Sequence, residues 1–164
     1  MGQAEAMSEK AVAGASVVQR PAVETDADDV ASALAAGLRD FHLVDARSPA
    51  ACAAAHLPGA ISLPHRLIGE KAVGRLPAGL LLVYCWGPGC NAATKAAARL
   101  AALSWSVKEM LGGFEYWVRE GRPLEGADAG SARYAPDLSG LIGLPREAAR
   151  DSAEPSTHEP PHTG

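Results

Sequence analysis

The feature that most constrains the fold is an apolar run that ends at a cysteine and passes through a glycine-rich loop into an alanine-rich stretch. The run is Leu80–Tyr84, and Cys85 follows it directly. The loop ends at Asn91, after which small residues at helical spacing continue to Leu103. A buried strand, a short loop and a helix form the repeating unit of a parallel α/β sheet. The pattern places Cys85 at the carboxyl end of a strand, where such sheets keep their ligand sites.

The surroundings expected for Cys85 favour a functional thiol. Backbone N–H groups and the helix dipole at a helix N-terminus stabilise an anion, including a thiolate. We therefore expect the pKa of Cys85 to lie below the value of about 8.5 for a free thiol. The alternative is that Cys85 is simply a small buried apolar residue. This interpretation is the weaker one, because a glycine-rich loop follows Cys85 directly.

Size and charge exclude several classes of function. The 164 residues are enough for one domain with its own core. The formal net charge is −4 without a dense Lys/Arg block, which argues against nucleic-acid and membrane partners. No apolar run reaches the roughly 18 residues of a membrane span, and Met1–Lys10 lacks a secretory pattern. With an odd count of three cysteines, we expect a cytoplasmic protein.

The cysteine spacing does not predict a metal site. Cys85 and Cys90 form one close pair, and no second pair or close His pair supplies the remaining ligands of a zinc site. Cys52 lies in an alanine-rich helical stretch and is expected to be a packing residue. We therefore expect neither a metal nor an organic cofactor.

Composition divides the chain into three parts. Residues 1–20 are small, polar and aperiodic and are predicted to be a flexible leader. Residues 21–126 alternate strand and helix patterns and are predicted to be the folded domain. In residues 127–164 Gly, Ala, Ser, Pro and charge dominate, which predicts a largely disordered tail with one short helix near Pro145–Arg150.

Periodicity and capping signals give the element order within the domain. A capping-box pattern makes Thr25 the predicted N-cap of the first helix, with Gly37 at its end. Ser48 and Pro49 are predicted to be the cap and first residue of the second helix. The predicted strands are a short segment at 21–25 and residues 41–45, 60–63, 80–84 and 107–111. The fold class is therefore α/β, with a small central parallel five-stranded sheet and helices on both faces.

Four segments, in order along the chain, resemble the rhodanese-like domain. The segments are Leu43–Pro49, His56–Pro64, Val83–Cys85 with its loop and helix, and Leu111–Trp117. The resemblance covers about residues 22–126. It implies a sulfurtransferase that carries sulfur as a persulfide on Cys85 and needs no cofactor. The implied partners are a small donor such as thiosulfate or mercaptopyruvate and an acceptor that is a thiol or cyanide. The implied substrate-binding loop is Trp86, Gly87, Pro88, Gly89, Cys90 and Asn91.

One position departs from that family pattern. Many catalytic members carry an Arg five residues after the cysteine, where this chain has Cys90. The loop therefore lacks a guanidinium for an anionic donor, and Pro88 lacks an N–H group. Oxyanion recognition is left to the remaining amides, the helix N-terminus and Trp86. This argues against thiosulfate as the natural donor and against a phosphatase.

Cys90 leaves two alternatives beside the sulfurtransferase. In one, Cys90 attacks the Cys85 persulfide and leaves a disulfide, so that the pair acts as a dithiol redox switch. In the other, loss of the Arg makes the domain a non-catalytic module that binds a protein partner.

Other polar residues are expected to have structural roles. Asp45 and Arg47 follow a strand and are expected to fix neighbouring loops. His56, before Leu-Pro-Gly, is expected to stabilise a turn through a hydrogen bond. Lys95 and Arg99 are expected to be solvated charges on the exposed face of a helix.

Overall fold

The computed structural model describes residues 20–134, in which strands and helices alternate as the sequence predicts. The strands are β1 (Glu24–Asp26), β2 (Phe41–Asp45), β3 (Ile61–Ser62), β4 (Leu80–Tyr84) and β5 (Val107–Leu111). The α-helices after β1 are α1 (Ala27–Ala35), α2 (Pro49–Ala54), α3 (Glu70–Val73), α4 (Ala92–Ala102) and α5 (Gly113–Arg119), with 3-10 turns at His65–Leu67 and Ala129–Ser131. Apart from residue 20, the leader predicted for residues 1–20 lies outside the described residues. So do the tail beyond residue 134 and the helix predicted near Pro145–Arg150.

The sheet is parallel and has five strands, which confirms the predicted fold class. The strand order is β1-β5-β4-β2-β3, so β4 lies between β2 and β5. In the register, Val83 of β4 is opposite Val44 on one side and Glu109 on the other. Because the strands run in the same direction, their carboxyl ends meet at one edge. Cys85 follows β4 in the middle of that edge.

Alternate side chains of β4 lie on opposite faces of the sheet. Both faces are therefore apolar, and helices cover each of them. One cluster contains Leu82 and Tyr84 of β4 and is joined by residues of α1 and α5, including Val30, Phe114 and Trp117. The other contains Leu81 and Val83 and is joined by residues of α3 and α4, including Val73, Ala93, Ala96 and Leu100. Cys85 belongs to the second cluster, so its thiol is held on the side of the sheet that carries α4.

The capping prediction for the first helix is wrong by one residue. Thr25 lies in β1 and pairs with Met110 of β5. The N-cap is Asp26, whose carboxylate accepts a hydrogen bond from the N–H of Asp29 at 2.8 Å. An extended strand continues to Asp26, so the helix cannot begin before it.

The prediction for the second helix is confirmed at its start. Ser48 is the N-cap and accepts a hydrogen bond from the N–H of Ala51 at 3.2 Å, with Pro49 in the first turn. The helix ends at Ala54. Ala55 is already extended, and its carbonyl oxygen accepts a hydrogen bond from the Arg47 guanidinium at 2.6 Å.

The ordered body continues past residue 126. The N–H of Ala127 donates to the carbonyl of Ala53 at 3.1 Å, and that of Asp128 donates to Ala54 at 2.7 Å. Tyr134 packs against the cluster that contains Trp117. Residues 127–134 therefore cover the end of α2 rather than leaving the domain.

Candidate active site

A tight turn shapes the loop between β4 and α4. The N–H of Cys90 donates to the carbonyl of Gly87 at 2.9 Å and closes a four-residue turn. Pro88 occupies the second position, where its fixed φ suits the turn. The missing N–H of Pro88 therefore costs the loop little, because that position donates no bond in such a turn.

The N-terminus of α5 anchors the loop from below. The N–H of Phe114 donates to the carbonyl of Cys85 at 2.9 Å, and the N–H of Glu115 donates to that of Trp86 at 2.7 Å. These are first-turn N–H groups, which have no partner inside the helix. Gly113 permits this approach: its φ is +60°, and a Cβ there would lie 2.6 Å from the Cys85 carbonyl oxygen. The structure thus explains the glycine pair before the Phe-Glu-Tyr-Trp segment.

The two cysteines of the loop are in direct contact. The thiol of Cys85 is buried and donates a hydrogen bond to the carbonyl oxygen of Cys90 at 2.8 Å. The two side chains also affect each other's ionisation: that of Cys90 raises the pKa of Cys85, and that of Cys85 lowers the pKa of Cys90. Cys90 is only partly buried, whereas Cys85 is buried.

Backbone N–H groups favour negative charge on each of the two sulfur atoms and so act to lower both pKa values. Two N–H groups act on Cys85, and two act on Cys90. They belong to Gly87 and Ala93 for Cys85, and to Trp86 and Ala92 for Cys90. The loop therefore stabilises negative charge at either of two adjacent positions.

The expectation of a low pKa at Cys85 is wrong, and the low value belongs to its neighbour. Burial, followed by the hydrogen bond and charge of Cys90, raises the pKa of Cys85 to about 11 against the N–H groups. Burial also acts to raise the pKa of Cys90. There the N–H groups, the Cys85 thiol and the charge of Lys95 outweigh it, so the pKa falls below its ordinary value. The sequence shows the N–H-rich loop but not the depth of each sulfur.

A cleft of about 280 Å³ opens over the Cys85 sulfur, between the loop and the end of β5. We call it the Cys85 cleft. Its charged lining residue is Glu109, whose carboxylate accepts a hydrogen bond from the hydroxyl of Thr94 at 3.0 Å. Among the described residues no Lys or Arg lines it. The sequence analysis did not identify Glu109 as a residue of the site. The signal that could have identified it is its position in β5, the strand beside β4.

Asp45 and Arg47 form a buried structural pair, as predicted. The two side chains meet at 2.6 Å and are almost fully buried. The hydroxyl of Tyr84 donates to Asp45 at 2.9 Å, and the Arg47 guanidinium lies 3.9 Å from the ring centroid of Phe114. These contacts join β2, β4 and α5 beneath the loop.

Trp86 connects this buried pair to the surface. It is 47% exposed, and its ring lies 4.6 Å from the Arg47 guanidinium. It also meets Phe114 edge-on, with ring centroids 5.9 Å apart. Trp86 therefore covers the ion pair instead of facing the Cys85 sulfur.

The remaining predicted residues lie around the site or away from it. Asn91 is exposed at the start of α4 and makes no side-chain cap bond. The Nδ1–H group of His56 donates to the Cys52 carbonyl oxygen at 2.7 Å, as expected for a residue that stabilises a turn. Arg99, expected to be solvated, donates to the carbonyl of His65 and ties α4 to the turn after β3. Lys95 is exposed.

Two kinds of feature are absent from residues 20–134. In this part of the chain, no three His, Cys, Asp or Glu side chains converge as metal ligands. Its helices are all too short or too polar to cross a membrane.

The site is a cysteine that follows the central strand of a five-stranded parallel sheet and lies in a loop rich in N–H groups. This arrangement defines a class of α/β domains. The model of one family, the rhodanese-like domain, matches residues 26–120. The crystal structure of the BH2092 protein from Bacillus halodurans is 36% identical, with a TM-score of 0.70 over 79% of this chain and 95% of that chain. The chain therefore belongs to the rhodanese-like family.

More distant structures share the fold. The rhodanese-like domain of the Alr3790 protein from Anabaena sp. is 24% identical, with a TM-score of 0.58 over 73% of this chain and 91% of that chain. The thiosulfate sulfurtransferase from Pseudomonas aeruginosa is 22% identical, with a TM-score of 0.50 over 66% of this chain and 21% of that chain. No curated protein sequence matches the chain.

Proposed function

We propose that the protein is a sulfurtransferase that takes a sulfane sulfur from a small donor onto Cys85 and passes it to a thiol acceptor. The observation that carries the proposal is the buried Cys85 thiol, which contacts Cys90 and whose thiolate form is favoured by the N–H groups of Gly87 and Ala93. A thiolate can both accept and release a sulfur atom, whereas a hydroxyl cannot. Family membership supports the same chemistry, which the Pseudomonas aeruginosa neighbour has in its name.

In the first step Cys85 must lose its proton. Because the pKa of Cys90 is the lower of the two, the Cys90 thiolate is available as the general base. It takes the proton while the Cys85 sulfur attacks the outer sulfur of the donor. A Cys85 sulfur–sulfur bond forms, the bond from that sulfur to the rest of the donor breaks, and the leaving fragment keeps the electron pair. Cys85 then carries a persulfide.

In the second step the acceptor attacks the outer sulfur of the persulfide. The electron pair of the breaking sulfur–sulfur bond returns to the Cys85 sulfur. The N–H groups of Gly87 and Ala93 stabilise the thiolate that forms there. Neither a metal nor an organic cofactor takes part in these steps.

Charge in the Cys85 cleft restricts the donor. The carboxylate of Glu109 lies among the lining residues, and none of those described is a cation. A dianion such as thiosulfate is repelled there more strongly than a singly charged donor, and a neutral donor is not repelled. We therefore expect mercaptopyruvate or an organic persulfide to load Cys85 better than thiosulfate does.

Mass spectrometry of the intact protein tests the proposal. After incubation with mercaptopyruvate or thiosulfate and removal of the donor, we expect one added sulfur atom in the unaltered protein. Cys85→Ser should add none, whereas Cys52→Ser, a matched change at a buried cysteine away from the loop, should load normally. Equal loading of Cys85→Ser would refute the proposal. Absence of loading by either donor and by an organic persulfide would refute it too and favour the binding-module alternative.

The contact between the thiols also supports a second candidate, a dithiol redox couple. Oxidation would join the Cys85 and Cys90 sulfurs and reduce an external disulfide to two thiols. Titration in glutathione buffers with thiol trapping should then give a reversible internal disulfide. Two thiols that stay free at the oxidising end of the titration would eliminate this candidate.

A further inference from the structure

A second cleft, of about 410 Å³, also has Cys90 in its lining. We call it the Trp86 cleft. Its walls are largely apolar and include Pro49, Leu67 and Trp86, the last two being 62% and 47% exposed. Cys90 lines both clefts, whereas Cys85 lines only its own. A reactant in the Trp86 cleft therefore reaches the site through Cys90.

The two clefts differ in charge. No Asp or Glu is among the described residues that line the Trp86 cleft, in contrast to Glu109 in the Cys85 cleft. Arg66 lies at its edge, is exposed, and makes no hydrogen bond or ion pair with the described residues. Burial and the positive charges of Arg66, Arg99 and Lys95 lower the pKa of His65 on the same edge. The Trp86 cleft is thus suited to an anion and the Cys85 cleft is not.

We propose that Cys90 is a second sulfur carrier, which takes the sulfur from Cys85 and presents it in the Trp86 cleft to a small organic thiol bearing a carboxylate. The inference rests on the proposed function, because it needs a persulfide on Cys85. It assigns the two clefts to separate reactants. The donor uses the Cys85 cleft, and the acceptor uses the Trp86 cleft.

The relay step needs no external oxidant or reductant. The Cys90 thiol, protonated during loading, gives its proton to the outer sulfur of the Cys85 persulfide. The resulting Cys90 thiolate attacks that outer sulfur, so a Cys90 sulfur–sulfur bond forms. The bond from the outer sulfur to Cys85 breaks, and its electron pair stays on Cys85. The products are a Cys90 persulfide and a Cys85 thiolate.

The N–H groups favour attack on the outer sulfur over attack on the inner one. Attack on the outer sulfur leaves the charge on Cys85, where the N–H groups of Gly87 and Ala93 favour the thiolate. Attack on the Cys85 sulfur itself would expel hydrosulfide instead. The N–H groups of Trp86 and Ala92 hold Cys90 as a thiolate both before its attack and when the acceptor removes the sulfur. A leaving thiol of low pKa departs faster, which suits Cys90 to the delivery step.

The lining of the Trp86 cleft sets the class of acceptor. Apolar walls suit a short carbon chain, and the unpaired guanidinium of Arg66 suits a carboxylate. 3-Mercaptopropionate has both features, and 2-mercaptoethanol has nearly the same size without the charge. Comparison of these two thiols isolates the electrostatic part of recognition.

Single-turnover transfer tests the relay. The unaltered protein and Cys90→Ser are loaded to completion with mercaptopyruvate, freed of donor, and mixed with 3-mercaptopropionate or with cyanide. Cyanide is small enough to reach Cys85 directly. We expect Cys90→Ser to slow transfer to 3-mercaptopropionate more than about tenfold relative to cyanide. An unchanged ratio of the two transfer rates, measured on protein loaded to completion, would overturn the relay and leave the proposed function intact.

Variants at the edge of the cleft test the acceptor site. Arg66→Glu should raise the KM for 3-mercaptopropionate about fivefold, as expected for loss of one surface charge contact. The KM for 2-mercaptoethanol and the rate of loading should stay unchanged. Lys71→Glu, the same charge change on α3 outside the cleft lining, is the matched control. Equal effects of the two variants, or of Arg66→Glu on both thiols, would overturn the assignment.

Peptide mapping of the protein loaded with mercaptopyruvate identifies the product of the relay. Fragments that separate Cys85 from Cys90 should place part of the added sulfur on Cys90 in the unaltered protein and none on it in Cys85→Ser. A Cys85–Cys90 disulfide with release of hydrosulfide would overturn the relay in favour of attack on the inner sulfur.

Discussion

The Cys85 thiol donates a hydrogen bond to the carbonyl oxygen of Cys90 at 2.8 Å, and the two side chains share further contact. The pair therefore loses and gains protons as one unit. The turn closed by Gly87 and Cys90 produces this contact, since it folds the chain back over the end of β4. In a loop with Arg at position 90 the same turn would place a guanidinium beside the sulfur, and here it places a second thiol.

The order of ionisation predicts which cysteine an alkylating reagent labels. Near pH 7 we expect iodoacetamide to modify Cys90 before Cys85, because the pKa of Cys90 is lowered while that of Cys85 is about 11. The rate at Cys85 should increase as pH rises towards that value. Peptide mapping at several pH values measures both rates, and Cys52, whose pKa burial raises, should stay unlabelled.

A Cys90→Ala variant serves as the control for this prediction. It removes the side-chain interaction and the charge that help to raise the pKa of Cys85, while burial and the hydrogen bond to the carbonyl of residue 90 remain. The rate at Cys85 should then rise at lower pH than in the unaltered protein. Faster labelling of Cys85 than of Cys90 near pH 7 in the unaltered protein would contradict the assignment.

Most of the fold follows from short-range signals in the sequence. The limits predicted for β2, β4 and β5 agree with the structure, because Asp40, Gly79 and Ser106 precede these strands and Gly112 follows β5. The N-cap at Ser48 is equally local. The prediction that Thr25 is an N-cap is wrong because its pairing with Met110, more than eighty residues away, overrides the capping-box pattern. Long-range pairing of this kind leaves no mark in a local window.

The positions of the site cysteines could be predicted from the sequence, but the order of their pKa values could not. The sequence places Cys85 at a strand end and Cys90 at the fifth position after it. The reversal of their expected acidities depends on how deep each sulfur lies, which only the packing determines. The role of Glu109 likewise depends on strand order, because β5 lies beside β4.

Removing the carboxylate of the Cys85 cleft should improve loading by anionic donors. Glu109→Gln keeps an oxygen that can accept the Thr94 hydrogen bond but loses the negative charge. We expect the KM for thiosulfate to fall about fivefold, with a smaller fall for singly charged mercaptopyruvate. Initial rates of loading measure the effect. Glu70→Gln on α3, outside the cleft, should change neither KM, and a rise in the KM for thiosulfate in Glu109→Gln would contradict the charge argument.

The buried pair beneath the loop should dominate stability. Asp45→Asn leaves the Arg47 guanidinium without its counter-charge in the interior. We expect the free energy of unfolding at pH 7 to fall by about 3 kcal/mol. Urea denaturation followed by circular dichroism measures it. Asp28→Asn breaks a bridge of equal length to Arg122, but Asp28 is 77% exposed there, so the cost should be about 0–1 kcal/mol. Equal losses in the two variants would contradict the interpretation.

The contact between Gly113 and the loop should link stability to sulfur loading. Gly113 and Gly121 have nearly equal positive φ values of +60° and +66°. A Cβ at Gly121 meets nothing within 4 Å, whereas one at Gly113 would lie 2.6 Å from the Cys85 carbonyl oxygen. Gly121→Ala should therefore lose about 1 kcal/mol of unfolding free energy and load sulfur normally. Gly113→Ala should lose about 3 kcal/mol and also load slowly, because the clash pushes the loop away from the N-terminus of α5.

Two measurements separate the backbone strain from the clash. Urea denaturation gives the loss of stability, and the rate of persulfide formation is measured in buffer without denaturant, where both variants are folded. The loss of unfolding free energy that comes from a positive φ is common to both variants. Slower persulfide formation in Gly113→Ala alone therefore reports the displacement of the Cys85 carbonyl. If both variants load at the rate of the unaltered protein, the α5 N-terminus does not hold the loop in its reactive form.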